Sequence, residues 1–134
     1  MFAPGFVTGR LIVRFGVRRV ITWGIVLNAL SVAVALLGVT FWHFVAALVL
    51  LGVGWNFMFQ GATNLLGESH SPAERVRAQA TNDFLVFGTV AFTALSSGAV
   101  HAGFGWNVLN LALLPALAIS LVMVMRRPPM ARPA

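Results

Sequence analysis

The chain contains no cysteine and no lysine, and its 134 residues include only three acids, Glu68, Glu74 and Asp83. Without cysteine there is no disulfide framework, thiolate metal site or cysteine nucleophile. The three acids and three histidines are scattered, so no metal-ligand spacing is present. There is also no H-E-x-x-H pair, nucleophile elbow or glycine-rich phosphate loop. The sequence therefore predicts neither an enzyme nor a bound cofactor. Charged residues make up 9% of the chain, against about 25% in soluble domains, while 59% of it is hydrophobic. A soluble fold this small could not hide so much apolar surface, and disorder needs the opposite composition. What remains is an all-α integral membrane protein, because open strands cannot satisfy their backbone in lipid.

The positive charge has a pattern. All nine arginines fall in three segments, 10–19, 67–82 and 126–134, and the net charge is +6. On a soluble chain this excess would suggest nucleic acid. Here the basic segments punctuate apolar runs, which is topology signalling and excludes a nucleic-acid partner.

Residues 1–8 are apolar but too short to span, and they lack the features of a signal peptide. They read as the end of a partial helix. Four full spans follow, at about 20–39, 41–66, 84–101 and 107–125. Twenty residues at about 1.5 Å each match the roughly 30 Å of hydrocarbon. Thr40 supplies a turn, and Gly67 suits a helix C′ position with positive φ. Ser71-Pro72-Ala73-Glu74 has the form of a capping box, with the Ser71 hydroxyl accepting a backbone N–H and Glu74 reaching back. The helix starting there carries Arg75 and Arg77 in water. It reaches Asp83 at the interface, where an ion pair with those arginines is expected. Residues 101–106 form a turn, and Pro115 is a candidate kink. Two spans separate each pair of basic segments. All three segments then lie on one side, and the nine-to-zero split makes it cytoplasmic. The expectation is one membrane domain over residues 1–134, multi-pass in the cell (inner) membrane, with a cytoplasmic C-terminus. Trp23, Trp42 and Trp106 sit near span ends, where aromatic belts form; Trp55 is mid-span.

The second full span carries Gly52, Asn56, Gln60 and Asn64 at intervals of four. Three amides on one face are costly against lipid, so that face points inward. It lines a cavity for a small molecule or supplies interhelical hydrogen bonds. Trp55 and Phe59 flank it and could stack on a ligand. Thr89, Thr93 and Ser97 on the third span are expected to bond back to their own helix. Ala94 and Gly98 form a small-xxx-small pair that would admit a close neighbour. Asn28 and Ser31 read as packing contacts, and His43 and His101 as solvated interface residues.

The first basic segment resembles the cytoplasmic loop signature of the major facilitator superfamily, G-x-L-x-D-R-x-G-R-[RK]. Gly9, Leu11, Arg14, Gly16 and Arg18 match, while Val13 and Val17 depart. The run Pro72-Ala73-Glu74-Arg75-Val76-Arg77-Ala78 resembles the P-x-E-R-x-x-A pattern before the eleventh helix of that superfamily. The resemblance implies that residues 1–8 end helix eight and that the four spans are helices nine to twelve. It also implies that Asn56, Gln60, Trp55 and Asn64 lie on the cavity-lining tenth helix. The missing Asp at Val13 removes the loop's acidic gating group. The implied function is the C-terminal part of a secondary transporter that moves a small solute by alternating access. Its partners would be the lipid bilayer and N-terminal helices absent from this sequence, and the chain alone would be inactive. The competing reading is a self-contained four-span protein working as an oligomeric small exporter or assembly subunit.

Overall fold

The computed structural model describes residues 3–126. They form five helices and, among these residues, no strand: α1 (Ala3–Phe15), α2 (Val17–Leu37), α3 (Phe41–Glu68), α4 (Pro72–Leu111) and α5 (Leu113–Arg126). Three helical runs are long and apolar enough to cross a membrane, namely Val17–Leu37, Phe41–Glu68 and the 55-residue run Pro72–Arg126.

Helix α1 continues through the first basic segment as far as Phe15. The turn falls at Gly16, whose φ of 88° suits glycine and almost nothing else. Gly9, the other motif glycine, lies inside α1 with open space beside it. The expected positive φ at Gly67 is not found, because α3 runs on to Glu68. Ser69 stops it instead: its N–H bonds to the Leu65 and Leu66 carbonyls, and its hydroxyl donates to Leu65 O at 2.6 Å. These bonds satisfy the orphan carbonyls of the last turn.

The long third run reverses at Gly105, where φ is 78° and ψ is 177°. Contacts at both ends establish the reversal. The Trp106 indole N–H donates to Ala35 O at 2.9 Å, at the far end of α2. Ser120 and Met123, by contrast, line the same cleft as Arg14 and Asn82 at the basic end. Pro115 leaves its mark at Ala112, a single residue between α4 and α5 that keeps right-handed helical angles. A proline lacks the N–H that the Leu111 carbonyl would accept, yet no sharp kink results.

The tightest packing is between α2 and α3. On α2 the buried residues are Val20, Ile21, Gly24, Ile25, Asn28, Ser31, Val32 and Ala35, one continuous helical face. On α3 they are Ala47, Gly54 and Gly61, each seven residues from the next. Two turns of helix separate such residues, so they form one narrow seam. A Cβ on Gly24 would stand 2.8 Å from Gly54 O, and one on Gly61 would strike Ile21. Glycine lets the two backbones meet, the usual device where lipid removes any hydrophobic drive between helices. Asn28 is buried there and donates to Gly24 O at 2.8 Å and toward the Met58 sulfur at 3.4 Å. Gly98, by contrast, has nothing within 4 Å of an added Cβ, so the Ala94–Gly98 pair receives no close neighbour among the described residues.

Candidate functional site

On α3 the seam residues Ala47, Gly54, Met58 and Gly61 face α2. At 100° per residue, Asn56, Phe59 and Thr63 then point to the opposite side. Helix α1 closes one flank of that side. The buried Thr8 hydroxyl donates to Asn56 Oδ1 at 2.7 Å. Gly5 faces Gln60 closely enough that a Cβ there would come 3.2 Å from its amide nitrogen. Helix α4 closes the other flank through Phe87. The rings of Trp55 and Phe59 are nearly parallel, 14° apart with centroids at 6.2 Å, and Phe87 continues the wall 6.3 Å from Phe59.

The hydrogen-bond state of this face is distinctive. Among the described residues the Gln60 amide makes no hydrogen bond, and the Asn56 NH2 group has no acceptor. The Thr63 hydroxyl oxygen is buried and likewise unbonded. Three polar groups left open inside a membrane helix are costly and mark a face that meets something polar.

Trp55, Asn56 and Gln60 are therefore brought together. Asn64 is not with them: it is exposed and lines a separate cleft with Arg14 and Asn82. Thr8 and Phe87 join the site although the sequence pattern did not select them. Thr8 had a signal, as the lone hydroxyl of an otherwise apolar opening, while Phe87 is one aromatic among many.

The second polar line behaves as local bonding. Thr89, Thr93 and Ser97 donate to the carbonyls of Leu85, Thr89 and Ala94 at 2.8–2.9 Å. Asp83 corrects its expectation. Its carboxylate accepts from Gln79 at 2.8 Å and Asn82 at 3.4 Å, in place of an ion pair with Arg75 or Arg77. The cap at α4 is also altered. The Ser71 hydroxyl donates to Glu74 Oε2 at 2.7 Å, so it does not accept a backbone N–H; the Ser71 carbonyl accepts from Glu74 and Arg75. Glu74 does reach back. The Ser71 hydroxyl first, and then the Ser71 N–H, hold its carboxyl below the usual carboxylate range. His43 accepts the Thr40 hydroxyl at 2.6 Å if Nδ1 is unprotonated, and His101 stands edge-on to Trp106. Among the described residues no cluster of three His, Cys, Asp or Glu could hold a metal.

In the first basic segment, Arg14 lies 5.3 Å over the Phe15 ring, which packs edge-on against Trp23. The family model of the Major Facilitator Superfamily matches residues 2–134. The chain belongs to the major facilitator superfamily. It is a multi-pass membrane protein of a transporter family and not an enzyme. Among its curated relatives, the riboflavin transporter RfnT of Brucella anthropi is 46% identical over 127 residues, which cover 95% of this chain and 32% of that protein. Two uncharacterized transporters of Bacillus subtilis, YdeG and YddS, are 35% and 34% identical. Their matches cover 90% and 91% of this chain, and 30% and 29% of those proteins. The chain thus spans about a third of the length of the curated relatives it matches. No solved structure matches it.

Proposed function

We propose that the chain forms the C-terminal part of a secondary active transporter that carries a small solute across the cytoplasmic membrane by alternating access. The observation that carries this reading is the face of α3 turned away from α2. That face combines an aromatic wall, Trp55 and Phe59, with amides at Asn56 and Gln60 that retain unused hydrogen-bonding capacity. Such a combination suits a flat ring system with carbonyl and N–H edges. Riboflavin, the solute named for the relative from Brucella anthropi, has that chemistry and is the substrate we assign. Asn64, turned further round α3 into the cleft at the basic end, lies outside this face. The remaining motif residues flank the cytoplasmic turn at Gly16, with Gly9, Leu11 and Arg14 in α1 and Arg18 in the first turn of α2, and Ser71 with Glu74 caps α4 on the same side. In this reading α2, α3 and the two arms of the third run are four full spans. The basic segments and C-terminus are cytoplasmic, and N-terminal helices of the same transporter complete the cavity. Alone, the chain does not transport.

Two measurements test this. A tag after Ala134 at the chromosomal locus, followed by a membrane blot, should give a band near three times the 14.3 kDa of this chain. A band at 14.3 kDa would overturn the reading and favour a self-contained oligomeric subunit. In the longer protein, Trp55→Ala should lower riboflavin uptake about fivefold, the size of one lost aromatic contact. Unchanged uptake would remove the aromatic wall from the substrate path.

A further inference from the structure

The basic end holds a second feature that the transport site does not use. An open cleft of about 1640 Å³ lies between the α1–α2 turn, the end of α3, Asn82 of α4 and the last turns of α5. Arg14, Arg18 and Arg19 line it, against a single acid, Glu68, with His70 beside them. Most of the remaining lining is apolar, including Phe15, Ile21, Leu65 and Met123. We propose that this cleft binds an anionic phospholipid, with the phosphate at the arginines and the acyl chains along the apolar wall. The proposal does not depend on the transport reading.

Three observations support a lipid. Arg14 and Arg19 against one carboxylate among the described lining residues favour an anion, and arginine matches phosphate geometry with paired donors. The apolar wall does nothing for a free inorganic anion, whereas acyl chains gain from it. The depth is also that of a headgroup. Arg14 lies over Phe15, and Phe15 packs against Trp23, which remains 38% exposed. An indole at the edge of an apolar helix marks the headgroup region, and basic pockets between membrane helices are suited to anionic headgroups.

The test is native mass spectrometry of the purified full chain in detergent, with phosphatidylglycerol or phosphatidylcholine added. The chain should retain phosphatidylglycerol and not phosphatidylcholine. Arg14→Gln with Arg19→Gln should weaken that retention about thirtyfold, from about 1 kcal/mol per arginine near a surface. Arg75→Gln with Arg77→Gln, outside the cleft, should leave it unchanged. The double Arg→Lys variant at 14 and 19 should retain most of it, separating lost charge from lost folding. Equal retention of both lipids would overturn the proposal. So would equal weakening by the 75/77 variant, or full displacement by glycerol phosphate, which would make the ligand a soluble anion.

Discussion

The long third run contains a stretch at least as apolar as α2 or α3, yet it packs very differently. Helix α2 buries eight residues and meets α3 backbone to backbone, while α4 and α5 bury none among the described residues. Phe84, Phe92, Leu95 and Phe104 of α4 are all more than 70% exposed. Hydropathy alone therefore does not decide which surfaces pack in this chain. The seam forms where glycines recur at a spacing that keeps them on one face and a partner offers a matching face. Gly98 shows that a small residue without such a partner stays open.

The comparison can be broken most forcefully at the seam. Gly54→Leu places a side chain against Gly24 O and Asn28 and should cost about 3 kcal/mol, the upper range for overpacking. The denaturant midpoint in detergent would report it, and a midpoint equal to the parent's would refute the seam. Trp106→Phe removes the bond to Ala35 O that ties the third run to α2, and should cost about 1 kcal/mol by the same measurement. Asn28→Ala removes one interhelical contact and should cost about 0.6 kcal/mol. The cap of α4 gives a smaller, pH-dependent effect. Glu74 has a depressed pKa in the folded state, so its contribution is present above the ordinary carboxylate pKa. It is lost as pH falls through the depressed value. The protection factors of the amides at residues 74–76 should fall over that acidic window, and Ser71→Ala should move the window upward. The smallest effect is expected at Gly98→Leu, which fills open space and should shift the midpoint by less than about 0.5 kcal/mol.

Much of the architecture was legible because lipid narrows the choices. Twenty uncharged residues after Arg19 can do little except form a helix, and Arg-free turns at 40 and 105 fix where the chain reverses. Termini were less legible. Gly67 looked like a stop, yet Ser69 with its two carbonyl bonds does that work, since any polar residue able to reach the last turn competes for it. The capping box was read with its donor reversed, because a serine hydroxyl both donates and accepts and a neighbouring carboxylate takes its proton. Asp83 found amides one turn and one residue away before any arginine. At the candidate site the spacing of four located Asn56 and Gln60 together. It could not separate Asn64, because 3.6 residues per turn carries a stripe of fours about 40° further round the helix at each step. Thr8 lies 48 residues from Asn56, a pairing that no local pattern encodes.

The single-residue reversal at Gly105 has a consequence for handling the protein. At that end, α2 and α3 are joined by three residues and the arms of the third run by one. An extended segment long enough to enter a protease cleft does not exist there, and an epitope tag inserted at 105 would have to break helix to be seen. The joint at 69–71, which the exposed Glu68 and Pro72 flank, is the place where a reporter would be tolerated.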